Sequence, residues 1–362
     1  MQLRITSISL FQFKNYYQRH FDFPERIVGI CGKNGVGKTN LLDAIHYLCF
    51  TKSYFTYQDT QVAKQGHQGF RLEGQFLLYG EPEKAVCVLR ENGRKEFSVN
   101  SIAYTRFSSH IGHYPCVVIA PDDVQLIVGG SDERRKFLDT LLAQLDAGYL
   151  QSLITYTKVL QQRNSFLKNY SNGYGSHDLS LLDVLDKLLA AEGNEIHKRR
   201  NEFLLGFLPV AKQLYNEIAQ QYESIELYYE SELQNVSMEE LLQLNRQKDL
   251  VMQRTTAGTH RDDLIFNIGN HPFKSVASQG QRKSLLFALK LTEMEVLKEE
   301  KKVSPLLLLD DVFEKLDEER IANLLIRVTR ENDGQVFITD TNCTRLHSQL
   351  ERLEYPFQMI QL

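Results

Sequence analysis

Residues 32–39 read Gly32-Lys33-Asn34-Gly35-Val36-Gly37-Lys38-Thr39, a full match to G-x-x-x-x-G-K-[ST]. Glycines in such a loop let backbone N–H groups turn inward onto phosphate oxygens, and the next helix adds its partial positive charge. The spacing places Lys38 to bridge the β- and γ-phosphates of ATP and the Thr39 hydroxyl to ligate Mg²⁺. Asn40 follows directly and completes the expected cofactor-binding stretch. Average residue frequencies produce this string by accident in about one chain in a hundred of this length. The flanks lower that further, with apolar IVGIC (27–31) before the loop and Leu41, Leu42, Ile45 and Leu48 at helical spacing after it.

Two further stretches carry chemistry. Pro305-Leu306-Leu307-Leu308-Leu309-Asp310-Asp311 is an apolar strand ending in paired carboxylates. The first acid can hold Mg²⁺ through water, and Asp311 is placed to orient or deprotonate an attacking water. Upstream, Ala277-Ser278-Gln279-Gly280-Gln281 opens a helix, so a hydroxyl and a glycine amide stand at a helix N-terminus, where anions bind.

These residues need a scaffold. At 362 residues, 42% hydrophobic and 24% charged, the chain can build two or three cored domains. Up to residue 125 it reads as strands and turns with one helix. Leu3, Ile5 and Ile8 to Phe11 suggest an edge strand, Asn92-Gly93 a hairpin turn, and CVVIA (116–120) a second buried strand. From 126 to 251 apolar residues recur at three and four, and SNGYGSH (171–177) reads as a loop between helices. Sustained heptads are missing, which disfavours a long coiled coil. After 252 come a helix following Gln281, the strand 306–309, a helix over 317–330 and the strand 335–339. The expectation is one α/β domain built from 1–125 and 252–362, interrupted by an all-α lobe at 126–251.

No apolar run reaches the roughly 18 residues of a membrane span, and the N-terminus lacks a signal-peptide pattern. The five cysteines are scattered and fit neither a disulfide framework nor a zinc site, which points to a reducing cytoplasm. Net charge is −4, so a nucleic-acid role needs a local basic surface. Two clusters offer one, Arg134-Arg135-Lys136 and Lys198-Arg199-Arg200; each reads equally as a solvated helix face, and Arg134 and Arg135 can also pair with Asp132 or Glu133. His260-Arg261-Asp262-Asp263 lacks metal-ligand spacing and reads as structural or nucleotide-proximal. No aromatic stacking platform is evident, so base-specific readout is not expected.

A Ser-x-Gly-Gln helix opening upstream of a strand ending in paired acids resembles the signature of ATP-binding-cassette ATPases, usually Leu-Ser-Gly-Gly-Gln. Here Ala277 replaces Leu and Gln279 the first Gly. Leu10-Phe11-Gln12-Phe13-Lys14-Asn15-Tyr16 is similar to the opening of the DNA-repair branch that includes SMC-like proteins. Ala120-Pro121-Asp122-Asp123, Ser131 to Asp139, Gln161 to Asn164 and Gly258 to Asp263 resemble the RecF family along the whole chain.

The resemblance implies an ATPase head with a mixed sheet, a P-loop helix and an antiparallel subsheet. It implies an ATP-dependent homodimer that binds DNA at gaps or single-/double-strand junctions and helps load recombinase with RecO and RecR. Lys38 and Thr39 would bind phosphate and Mg²⁺, Asp310 would be the metal-associated acid, and Asp311 would stand where many relatives carry a catalytic Glu. Ser278, Gly280 and Gln281 would act on the partner's nucleotide. Asp311 is one methylene short of Glu, consistent with a slow, switch-like ATPase. No switch His follows the last strand, where Thr339 and Asp340 stand instead, and Gln58, Gln61 and Gln65 all compete for the Mg²⁺-sensing Gln. Competing readings are the ATPase subunit of a membrane transporter, a short SMC-like structural ATPase and a P-loop kinase. The helical insertion and FQFKNYY opening argue against the first, the insertion's shortness against the second, and SQGQ with LLLLDD against the third.

Overall fold

The computed structural model describes residues 3–171, 179–219, 223–312, 326–329 and 333–362. It divides into two compact units, Met1–Asp123 with Leu289–Leu362, and Val124–Ala288.

The first unit holds two sheets. The parallel one has the order β14-β3-β13-β12-β8, from β3 (Ile27–Cys31), β8 (Cys116–Ile119), β12 (Leu306–Leu309), β13 (Val336–Asp340) and β14 (Phe357–Gln361). β3, β8, β12 and β13 are buried at every position, which is why β3, β8 and β12 read as unbroken apolar runs and β13 as VFI before its polar end. The antiparallel sheet has the order β2-β1-β4-β5-β6-β7, from β1 (Leu3–Phe13), β2 (Tyr16–Asp22), β4 (Phe70–Leu78), β5 (Glu81–Leu89), β6 (Lys95–Val99) and β7 (Ile102–Ala103). Its strands alternate, with Phe70, Leu72, Phe76 and Leu78 of β4 turned inward. Helix α1 (Lys38–Phe50) packs against both sheets, so Leu41, Ile45 and Leu48 share one core with Ile5, Phe76, Leu308 and Phe337. Burial around most of α1 leaves it only weakly amphipathic.

The second unit contains α2 (Gln125–Val128), α3 (Ser131–Leu145), α4 (Ala147–Ser171), α5 (Ser180–Ala219), α6 (Met238–Met252) and α7 (Phe273–Val276). It also holds a three-stranded antiparallel sheet, β11-β10-β9, from β9 (Ile225–Glu230), β10 (Asp263–Ile268) and β11 (His271–Pro272). α8 (Gln279–Lys301) begins in this unit and joins the first from Leu289 onward. α9 (Cys343–Glu351) belongs to the first unit.

Four expectations are corrected. The lobe is not all-α, because IELYYE forms β9 and pairs from Ile225↔Ile268 to Asp263↔Glu230. That partner lies beyond 252, so the return to the head comes at Leu289. β1 is interior rather than an edge, since polar YYQRHFD folds back as β2 and takes the edge with its charged side chains out. Cys31 and Cys343 form a disulfide across a sequence separation of 312 residues, because β3 and β13 are neighbours and the chain enters α9 just past β13. Most of the expected 317–330 helix lies outside the described residues, with 326–329 helical, and the 171–177 loop lies almost wholly outside them.

Candidate functional site

Parallel pairing brings the carboxyl ends of β3, β12 and β13 to one edge of the sheet. The phosphate loop leaves β3 there, Asp310 and Asp311 end β12, and Thr339 and Asp340 end β13. This is the edge at which open α/β sheets bind ligands.

The loop enters α1 through Gly37, the N-cap, whose φ is +117°. A Cβ there would lie 2.6 Å from Asn15 Nδ2 and 2.8 Å from the Tyr16 hydroxyl, so only glycine fits. No side chain caps α1 and no acid stands in its first turn, which leaves its first N–H groups for an anion. The close neighbours form a clamp. Asn15 Nδ2 donates to Val36 O at 2.9 Å, Asn40 Nδ2 donates to Asn15 Oδ1 at 2.8 Å, and the Tyr16 hydroxyl donates to Gly37 O at 3.0 Å. Burial raises the Tyr16 phenol well above its ordinary value, which keeps it a donor. Sequence reasoning used Asn15 and Tyr16 as family marks and missed this role; the signal was a pair of polar side chains at a turn between two strands.

Lys38 is buried and donates through Nζ to Gly32 O (3.0 Å) and Lys33 O (3.3 Å). An ammonium has three donors, so one remains for a phosphate oxygen. Thr39 Oγ1 lies 3.0 and 2.9 Å from the two Asp310 carboxylate oxygens. Thr339 Oγ1 donates to Asp310 Oδ1 at 2.8 Å and accepts the Asp311 N–H at 2.8 Å. Thr339 therefore sets both acids, and Asp311 is held with φ at +42°. Burial pushes the Asp310 carboxyl above the usual carboxylate range, against the hydroxyls of Thr339 and Thr39 and the charges of Lys38 and Lys14. A buried carboxylate beside a threonine hydroxyl is a hard-oxygen donor set of the kind that, with phosphate oxygens and water, suits Mg²⁺. Asp340 is engaged elsewhere, bidentate to Arg345 at 2.7 and 2.6 Å.

Asp43, fully buried in α1, pairs with Lys14 at 2.5 Å and accepts from Ser53 Oγ and Tyr54 N, both at 2.7 Å. These bonds tie the segment leading to Gln58 back to the loop's own helix. Gln58, Gln61 and Gln65 are all exposed.

In the second unit Ser278 is exposed at the start of α8. Its Oγ accepts the Gln281 N–H at 3.2 Å, and Gln281 Oε1 accepts the Ser278 N–H at 2.7 Å, a capping box. Gln281 Nε2 also reaches Glu223 at 3.0 Å. The motif is thus a pre-ordered helix start with a hydroxyl in solvent.

The basic clusters separate into two kinds. Arg200 is 2% exposed and bonds Asp262 (2.9 Å), Asp139 (2.7 Å) and Thr259 O (2.9 Å). Arg134 is 7% exposed and holds Asp263 at 2.6 Å and Gly129 O at 2.9 Å. Arg135 bonds Asp262 O at 2.6 Å, and Arg199 pairs with Glu195 at 2.6 Å and with Asp146. Arg134 and Arg200 as DNA contacts are therefore corrected, because buried guanidinium groups bound to carboxylates cannot meet a phosphate backbone. Lys136 and Lys198 are exposed. Arg163 is fully buried between Asp186 (2.6 Å) and Asp249 (2.7 Å), so the motifs around 131–139, 161–164 and 258–263 build the lobe's interior.

A P-loop opening a helix between two sheets, with a threonine-held carboxylate pair on the next-but-one strand, defines a P-loop ATPase head. Residues 7–354 match the family described as AAA domain. A DNA replication and repair protein RecF of Flavobacterium johnsoniae is 41% identical over 360 residues, covering 99% of this chain and 100% of that one. Its counterpart from Phocaeicola vulgatus is 39% identical over 354 residues, covering 97% and 94%. The solved structure of the recombination mediator protein RecF with ATP, in the RecFOR pathway, is 30% identical with a TM-score of 0.86, covering 94% and 92%. An Smc head domain from Pyrococcus furiosus shares the fold at 16% identity and a TM-score of 0.53, covering 96% and 92%. The chain belongs to the RecF family.

Proposed function

We propose that the protein is a cytoplasmic recombination mediator that binds ATP and Mg²⁺, dimerises, binds gapped or junction DNA and helps load recombinase with RecO and RecR. The observation that carries this reading is the joining of Thr39, Asp310 and Thr339 beneath a complete phosphate loop. Family membership supports the DNA-repair setting. In this reading Lys38 contacts the β- and γ-phosphates, Thr39 and Asp310 hold Mg²⁺, and Asp311 aligns the water that releases phosphate. The metal, when bound, neutralises charge on the phosphates. Ser278, Gly280 and Gln281 act on the nucleotide of a second copy, since their hydroxyl and helix N-terminus face solvent. Hydrolysis is slow because Asp311 is short and its carboxyl must reach the water from a fixed backbone. Exposed Lys136 and Lys198 contribute phosphate contacts to DNA.

The test is binding to a gapped duplex and self-association, with and without ATP, for wild type and Lys38→Ala. ATP should raise both in wild type and neither in the variant. Monomers indifferent to ATP and without DNA affinity at modest salt would overturn the reading.

A further inference from the structure

The Cys31–Cys343 disulfide sits at the root of the phosphate loop. Cys31 is the last residue of β3, directly before Gly32, and Cys343 is the first residue of α9; their Cα atoms are 5.1 Å apart. Backbone bonds already hold this junction: the Gly32 N–H meets Asp340 O at 3.3 Å, and the Leu362 N–H meets Cys31 O at 2.9 Å. Asn342 caps α9 by accepting the Arg345 N–H at 2.9 Å, and Arg345 returns to Asp340. The bridge therefore fastens the entrance of the loop to the segment that leaves Thr339, the residue that sets both acids.

Cys31 is buried, whereas Cys343 is only half-buried. An open groove of about 480 Å³ is lined by both cysteines together with Thr344, His347, Ser348 and Met359. Cys49, Cys87 and Cys116 are buried like Cys31, and burial pushes the Cys87 thiol up to about 12. Thiol–disulfide exchange needs access to an attackable sulfur, which among the described cysteines only Cys343 offers.

We propose that Cys31 and Cys343 form a reversible thiol–disulfide site, served by low-molecular-weight thiols entering this groove, whose oxidised form restrains residues 340–343 and slows ATP turnover. The turnover part rests on the ATPase reading above. A small thiolate attacks Sγ of the half-buried Cys343; the S–S bond breaks, its electron pair leaves on Cys31 Sγ, and that sulfur takes a proton. A second thiolate attacks the mixed disulfide, releasing Cys343 as a thiolate that is then protonated. The balance is one protein disulfide and two small thiols giving one protein dithiol and one small disulfide. Re-oxidation is the reverse, with the small disulfide as oxidant.

The test equilibrates the full chain in reduced or oxidised glutathione, then denatures and alkylates it for mass spectrometry. Three alkylated cysteines are expected after oxidation and all five after reduction, since the chain has five and three are free in the bridged form. ATP turnover should rise several-fold on reduction, and amide exchange at 339–345 should speed up. Cys343→Ser, with Cys31→Ala as a second variant, should behave like reduced wild type in either buffer. Five alkylated cysteines under both conditions would overturn the site. A changed thiol count with unchanged exchange at 339–345 would overturn the restraint. If no sample turns over ATP the ATPase reading fails, while the thiol count and exchange still decide this proposal.

Discussion

The clamp on the phosphate loop gives a prediction with a magnitude. Tyr16→Phe removes one hydroxyl that donates to Gly37 O from a buried position, and Asn15→Ala removes the amide bridging Val36 O and Asn40. Each lost hydrogen bond is worth about 0.5–1.5 kcal/mol net, and a buried carbonyl left without its partner costs about 1–3 kcal/mol. Neither side chain touches nucleotide in this account; both hold the loop in the shape that accepts it. Weakening the loop by about 1–3 kcal/mol lowers the population of that shape, so affinity falls by at most about 5- to 150-fold. The assay is titration with a fluorescent ATP analogue, alongside thermal unfolding to show that the variants are folded. Gly37→Ala, which meets both side chains within 2.8 Å at a φ of +117°, should bind worst of all. Wild-type affinity in folded Tyr16→Phe and Asn15→Ala would refute the claim that this hairpin shapes the loop.

Four other perturbations probe different parts of the molecule. Burial raises the Asp310 carboxyl, so stability tied to it is full below the unfolded value of 3.8 and is lost as pH rises through the folded one; Asp310→Asn should be at least as stable as wild type at neutral pH, yet lose about 10²-fold or more in turnover, and a less stable variant would contradict this. His46 and His110 are buried and lowered from 6.5 to about 4, so the folded state refuses protons that the unfolded state takes. Stability should fall as pH drops from 6.5 toward 4, by up to about 3 kcal/mol for each, and denaturant unfolding curves that do not move across this window would refute it. Arg200→Met leaves Asp262 and Asp139 in the lobe interior without their cation and should cost about 3–5 kcal/mol. Lys198→Ala should change stability by no more than about 0.5 kcal/mol and reduce the salt slope of DNA binding by about one; the opposite pattern in the two variants would reverse their assigned roles.

The parallel sheet was legible because complete burial leaves unbroken apolar runs such as IVGIC and LLLL, and the phosphate loop because its glycines and lysine have no substitutes. Thr39 and Asp310, 271 positions apart, could be paired on motif logic and meet at hydrogen-bond distance. What stayed hidden was relational. YYQRHFD shows no apolar alternation because an edge strand with an exposed face needs none, so β2 leaves no signal and β1 looks like the edge. β9 hides in a helical texture because its partner strand lies far along the chain, 33 residues on at Glu230↔Asp263 and 43 at Ile225↔Ile268. Arginine runs look alike whether they face water or carboxylates, and only three-dimensional pairing separates Arg200 from Lys198. The disulfide was invisible for the same reason: nothing local links Cys31 to Cys343 until β13 lies beside β3.

The central claim is that each nucleotide site is completed by a second copy of the chain. Mixing Lys38→Ala with Ser278→Arg tests it directly, because a mixed dimer carries one site with an intact phosphate loop from one copy and an intact Ser278 from the other. Sedimentation with ATP should show each variant alone as a monomer and the mixture forming dimers with measurable turnover. A mixture of folded variants that stays monomeric and inactive, or Ser278→Arg alone dimerising and hydrolysing ATP like wild type, would contradict the account.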